Sequence, residues 1–170
     1  MTTLRKDRVT NMQVRRAIDA DIPGIDSCLS QVLEVHAQGR PDLFRSGTRK
    51  YTDDELRAII ADDKRPIFVA VAEGAAPGEI LGYGFCVVED HTHSNNLQPI
   101  RTLYIDDICV DEGARGHGVA TAIYQHIIAF AREGGFHNVT LNVWECNPGA
   151  RKFYEAMGMG VQKTCMEQVL

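Results

Sequence analysis

Between Asp106 and Ala120 the chain reads DDICVDEGARGHGVA: an alternating strand, a glycine-punctuated turn, then helix-forming residues. Gly116 and Gly118 remove side chains where the backbone turns. Amides converge in such a turn, and the N-terminus of the following helix adds about half a positive charge. A diphosphate can approach that backbone closely. A plain strand-to-helix turn also uses glycines, so the motif by itself leaves a phosphate cradle and a structural turn both open. Upstream, Asp106 and Asp107 are adjacent carboxylates on the strand. Alternation predicts that they face opposite sides, Asp106 together with Ile108 and Val110. Downstream, Asn147-Pro148 opens a helix that carries Tyr154. Asn is a good N-cap and Pro is tolerated at the first helical position.

The elements that must position these groups follow from periodicity. Residues 13–17 form a first strand, and Asp19 and Asp21 are capping candidates for a helix whose apolar positions run Ile22, Ile25, Leu29, Val32, Leu33 to Gly39. His36 lies on that stripe as partly buried structure. Residues 40–50 form a loop with Leu43 and Phe44 as exposed-looking anchors. Thr52 and Glu55 make a capping box for a second helix with Leu56, Ile59 and Ile60 inside. The period then changes to two over residues 67–72, 80–89 and 100–110, three hairpin-linked strands. A helix follows, closed by Gly134-Gly135, then a strand through Val139, Leu141 and Val143, the helix after Asn147, and a last strand over residues 160–170. The order β-α-α-β-β-β-α-β-α-β is a mixed α/β sheet with helices on its faces.

One domain is the expectation for 170 residues, with residues 1–11 a disordered lead-in and Met12 a plausible true start. The net charge of −5 disfavours nucleic acid, which needs a basic face. No apolar run approaches the ~20 residues that span a bilayer. The five cysteines are odd in number and none forms a C-x-x-C pair, which points to a reducing cytoplasm. His91 and His93 have no third ligand nearby, so no metal is expected.

Arg115-Gly116-His117-Gly118-Val119-Ala120 fits [Gln/Arg]-x-x-Gly-x-[Gly/Ala] and resembles the acetyl-coenzyme A signature of the GNAT superfamily of N-acetyltransferases. The strand TLNV at residues 140–143 and the run NPGARKFYEAMG at residues 147–158 resemble the family's next motifs. The resemblance implies an α/β (α+β) fold with a mixed, mostly antiparallel sheet of six to seven strands and about four helices. It implies acetyl-coenzyme A as co-substrate and a primary amine of a small molecule or peptide as acceptor. The backbone of Ile108, Cys109 and Val110 would line the pantetheine arm. Arg115, Gly116, His117, Gly118, Val119, Ala120 and Thr121 would hold the pyrophosphate, and Asn147 and Arg151 would touch the cofactor. Tyr154 would sit beside the thioester sulfur. His117 replaces the usual long polar residue and is expected to face solvent.

Acetyl transfer needs an amine of pKa near ~10 to lose a proton, and the departing thiolate needs a donor. A phenol of pKa about 10 can donate to a thiolate whose acid has pKa about 8.5. Asp106 is the candidate base, or equally an anchor for a cationic substrate. Asp107 would satisfy backbone or a helix end, and Cys109 is a small buried residue. The acids Asp106, Asp107, Asp111 and Glu112 suit a polyamine-like or basic acceptor. Phe44 is a candidate substrate wall, with a surface position or a homodimer contact equally open. The same cradle on a non-catalytic acyl-coenzyme A sensor is the alternative function. A dinucleotide oxidoreductase fits less well, because Thr121 stands where Gly or Ala is required.

Overall fold

The structure, a computed structural model, describes residues 11–170. The lead-in expected over residues 1–11 thus lies outside the described residues except for Asn11. That residue is tied down: its side-chain amide donates to the Glu73 carboxylate (3.0 Å) and its carbonyl accepts the Glu73 amide (2.9 Å).

Five strands form one sheet: β1 (Met12–Arg16), β2 (Ile67–Ala72), β3 (Gly82–Asp90), β4 (Arg101–Val110) and β5 (Asn138–Leu141), in that spatial order. Each of the first four runs antiparallel to its neighbour, and β5 runs parallel to β4. Helix-free connections join β2 to β3 and β3 to β4, two helices intervene between β1 and β2, and the helix between β4 and β5 makes a crossover that returns the chain in the same direction. Four helices cover the faces: α1 (Ile22–Gly39), α2 (Asp53–Ile60), α3 (Val119–Glu133) and α4 (Pro148–Ala156). On one face α1 and α2 bury Ile25, Leu29, Leu56 and Ile59 against Ile67, Val69, Tyr83 and Phe85. On the other, Val119, Ile123 and Ile127 of α3 meet Phe68, Ala70, Leu103 and Ile105, with Phe153, Tyr154 and Met157 at the margin. Strands buried on both faces read as continuous apolar runs, as IFVAVA in β2 does.

The capping box forms as its spacing requires. The Thr52 hydroxyl accepts the Glu55 amide (3.2 Å), and the Glu55 carboxylate accepts the Thr52 amide (2.7 Å). One turn on, Leu56 is fully buried. Leu56→Ala is expected to cost about 2–5 kcal/mol through lost transfer energy and a cavity. Urea unfolding checks this: the midpoint should drop with an unchanged slope.

Three expectations are corrected. Neither Asp19 nor Asp21 caps α1 through its side chain. Asp21 is instead buried, receiving both Arg15 guanidinium nitrogens (2.7 and 2.9 Å) and the Ile18 amide (2.9 Å). A buried carboxylate must be paired and hydrogen-bonded, and closing the turn before α1 achieves both. Second, residues 160–170 form no strand, so the described sheet has five strands rather than six to seven. The tail's apolar residues Val161, Met166, Val169 and Leu170 keep no period of two, and all are exposed. Arg40 holds this segment through Glu167, at 2.9 Å for both guanidinium nitrogens. Third, β5 ends at Leu141, and Val143 lies outside it. The β4–β5 ladder therefore runs only from Thr102–Asn138 to Ile105–Leu141, while β4 continues to Val110. Beyond Ile105 one edge of β4 has no strand beside it.

Candidate active site

The unpaired stretch of β4 begins at an irregularity. Ile105 pairs with Cys86 and Asp107 with Phe85, which leaves Asp106 as one extra residue. Such a bulge resets the alternation of side chains. Leu103 and Ile105 before it and Ile108 and Val110 after it all pack toward α3, whereas Cys109 packs toward α1. The expectation that simple alternation sends Asp106 and Asp107 to opposite sides is therefore corrected. Lys50 feels both carboxylates and contacts Asp106 directly, Nζ to Oδ2 at 3.2 Å.

The two carboxylates have different surroundings. Asp106 is exposed beside Lys50. Asp107 is half-buried, and its Oδ2 accepts the hydroxyl of the wholly buried Tyr83 at 2.6 Å, in place of a backbone group or helix end. Burial raises the Asp107 carboxyl above the ordinary carboxylate range. Tyr83, Lys50 and His36 pull it back down, and the like charge of Asp106 pushes it up. Asp111, grouped with these acids in the sequence, is committed elsewhere: it accepts the Gln31 side chain and the Gly113 amide, both at 3.0 Å.

Tyr154 packs against Phe153 (ring centroids 5.1 Å) and Tyr124 (6.3 Å). Burial, then the charge of Asp107, pushes its phenol well up, so it stays protonated through the neutral range. The fold thus brings a residue of α4 within electrostatic reach of the β4 bulge. Cys109 is buried, with its thiol 3.3 Å from the Cys28 carbonyl. The Cys28 side chain and burial both raise its pKa, which keeps it protonated and unsuited to nucleophilic attack.

At the end of β4, Gly116 and Gly118 adopt φ of +77° and +80°, a region that penalises any side chain. A Cβ built on either would meet no atom within 4 Å, so the space over the turn is open. Gly118 is the N-cap of α3 and offers no side-chain acceptor, which leaves the first-turn amides at Val119, Ala120 and Thr121 without a capping group. Arg115 and His117 are exposed, His117 with Nδ1 2.8 Å from the Arg115 carbonyl and Arg115 with Nε 3.3 Å from that of Val110. Converging amides, a helix N-terminus and open space suit a diphosphate. Asn147 caps α4 by accepting the Ala150 amide (3.1 Å), which leaves its NH₂ group available to a ligand. Arg151 is exposed and paired with Glu155 (2.9 Å).

Sequence reasoning missed Tyr83, Lys50 and Trp144. Tyr83 reads as one more strand aromatic and Lys50 as a solvated loop charge, and no local signal marks either as a partner of β4. Trp144 meets Phe44 edge-on across separate segments (5.4 Å).

The sequence profile described as the Acetyltransferase (GNAT) family matches residues 32–159. The chain belongs to this family. It is 31% identical over 105 residues to glucosamine 6-phosphate N-acetyltransferase 1 of Oryza sativa subsp. japonica, a match covering 62% of this chain and 58% of that relative. The chain thus spans less than two thirds of that relative's length. Among solved structures, a tetramutant of the BH1408 protein from Bacillus halodurans superposes with a TM-score of 0.86 at 30% identity, covering 93% of this chain and 99% of that one. Glucosamine-6-phosphate N-acetyltransferase from Arabidopsis thaliana shares the fold, with a TM-score of 0.64, 21% identity and coverage of 94% and 98%.

Proposed function

We propose that this protein is an N-acetyltransferase that moves the acetyl group of acetyl-coenzyme A onto a primary amine, the amine attacking the thioester directly in a ternary complex. The observation that carries the reading is the pair of left-handed glycines before an uncapped helix, placed at the end of a strand that carries two adjacent carboxylates and whose apolar residues pack with Tyr154. Gly116, Gly118 and the amides of Val119, Ala120 and Thr121 would hold the diphosphate, with Arg115 and His117 at its rim. The unpaired edge over Ile108, Cys109 and Val110 would bind the pantetheine arm, joined by Asn147 and Arg151. The bound thioester supplies an activated acetyl group.

The protein's residues then meet the demands of the transfer. Asp106 anchors the incoming ammonium in competition with Lys50. Asp107 accepts the proton that the ammonium must lose before its nitrogen can bond to the acetyl carbon. The amide of Val110 donates to the oxyanion. Tyr154 donates a hydrogen bond to the thiolate as the C–S bond breaks, and the nitrogen's second proton passes to solvent as the amide forms. No cysteine is needed, in keeping with the buried thiol of Cys109. All five cysteines are unpaired, which supports a cytoplasmic location. No helix among the described residues is long and apolar enough to cross a membrane.

Thiol release from acetyl-coenzyme A, followed against a panel of primary amines, tests the proposal. Coenzyme A binding without turnover of any amine would sink it. The cradle has its own test in Gly118→Val. A β-branched residue in the left-handed region costs about 1–2 kcal/mol, and its side chain enters the space over the turn. Coenzyme A affinity by calorimetry is expected to fall about tenfold or more, since close backbone approach is lost. Unchanged affinity would place the diphosphate elsewhere.

A further inference from the structure

The end of α1 and the loop that follows it meet a turn far downstream in the chain. His36 comes from the last turn of α1, Phe44 from the loop after it, and Trp144 from the turn after β5. Their rings lie 5.1 Å (His36–Phe44), 5.4 Å (Phe44–Trp144) and 6.4 Å (His36–Trp144) apart. The apposition is close: a Cβ on Gly39 would fall 2.6 Å from the sulfur of Cys146. Trp144 stays 40% exposed, and Leu43, adjoining Phe44, is 50% exposed. The cluster therefore presents apolar surface to water instead of filling a core. Contacts tie it to the carboxylate strand: the loop that carries Phe44 ends at Lys50, whose Nζ lies 3.2 Å from Asp106, and Asn142, two residues before Trp144, donates to the Tyr104 hydroxyl of β4 at 3.1 Å.

The cations around it are already engaged. Arg40 is bound to Asp42 and Glu167, Arg49 to Asp26 and Asp53, and Lys50 to Asp106. Of the four cations in residues 40–50, only Arg45 has no carboxylate partner among the described residues. An acceptor with a phosphate would find one uncommitted loop cation and two carboxylates. An amine with an apolar body would find complementary groups at both ends: carboxylates for its ammonium and aromatic rings for its hydrocarbon.

Building on the acetyl-transfer reading, we infer that the acceptor is a primary amine carried on an apolar, aromatic or alkyl body, seated on Phe44 and Trp144 with its nitrogen toward Asp106 and Asp107, and not a phosphorylated sugar amine. Contact between the amine's apolar body and the two rings adds affinity.

Trp144 is the only tryptophan in the chain, so its fluorescence reports the wall directly. The full-length protein, saturated with coenzyme A, is titrated with 2-phenylethylamine, spermidine and glucosamine 6-phosphate, and the same amines are run for turnover with acetyl-coenzyme A. Only 2-phenylethylamine is expected to shift the Trp144 emission in a saturable way. Its kcat/KM should exceed those of the other two by about tenfold or more, the scale of burying one aromatic ring. Phe44→Ala should raise its KM about tenfold on the same scale, leaving kcat and the KM for acetyl-coenzyme A within about twofold. Preference for glucosamine 6-phosphate or spermidine, or an unaltered KM in Phe44→Ala, overturns the inference while acetyl transfer stands. Saturable 2-phenylethylamine binding at Trp144 without turnover of any amine upholds the wall and refutes the acetyl-transfer reading. No emission change on the unsubstituted protein refutes the wall without relying on any variant's folding.

Discussion

Tyr154→Phe is expected to lower kcat about a hundredfold or more, the usual scale for removing a positioned proton or hydrogen-bond donor. The substitution deletes one oxygen and keeps the ring, so the contacts with Phe153 and Tyr124 persist. The KM for acetyl-coenzyme A should hardly move, because the amides of the glycine turn bind the diphosphate in both proteins. The loss belongs in kcat, since only a departing thiolate needs the donor. Steady-state kinetics with acetyl-coenzyme A varied at a saturating amine separates the two terms. A kcat within twofold of the unsubstituted protein would remove Tyr154 from the chemistry and return it to the role of a helix aromatic at the margin of the core. A sensor that merely binds the acylated carrier would be indifferent to the change.

Asp107→Asn is expected to lower kcat/KM about a hundredfold or more, because the amide accepts no proton from the ammonium. The pH dependence gives a second reading. Burial raises the Asp107 carboxyl above the ordinary range, so its charged fraction falls at a higher pH than that of a solvated aspartate. The rate of the unsubstituted protein should decline on the acid side through that raised value, and this limb should vanish in Asp107→Asn. The sign for stability follows from linkage. A carboxyl whose pKa is raised by folding binds its proton more tightly when folded. It adds stability below the ordinary carboxylate range and loses that contribution as the pH rises through the raised value. Asn stays neutral and can still accept the Tyr83 hydroxyl. The variant should therefore be at least as stable as the unsubstituted protein at pH 8, with any advantage shrinking in acid. Thermal melts at several pH values check this. Asp106→Asn provides the contrast: an exposed anchor should act on the KM of the amine and leave the acid limb in place. A surviving acid limb in Asp107→Asn, with its loss in Asp106→Asn, would reverse the two roles.

The elements were legible in the sequence wherever a local rule decides them. The capping box at Thr52 and Glu55 needs only two side chains three residues apart. The glycine turn needs only residues able to take a positive φ, and both do. The helix-free connections of β2 to β3 and β3 to β4 and the crossover between β4 and β5 follow from loop length. Expectations failed where a partner distant in sequence decides the outcome. Asp21 carries a capping residue's identity, but Arg15 on the neighbouring strand claims its carboxylate. Residues 160–170 contain strand-forming types, but a strand exists only beside another strand, and this segment has none.

The carboxylate pair draws the division most sharply. The residue types along β4, the glycines after it and the asparagine and tyrosine of α4 are set by order along the chain, and their chemistry follows from their functional groups. Which aspartate is the more buried depended on a bulge opposite Phe85 and Cys86, a matter of register between two strands. Which group it bonds depended on a tyrosine 24 residues earlier in the chain. The aromatic wall likewise required α1, its loop and the turn after β5 to converge. Local sequence specifies backbone conformation and reactive groups because those depend on neighbouring atoms. Exposure, pKa and the shape of the acceptor site depend on what packs against them across the fold, so only the tertiary structure decided these.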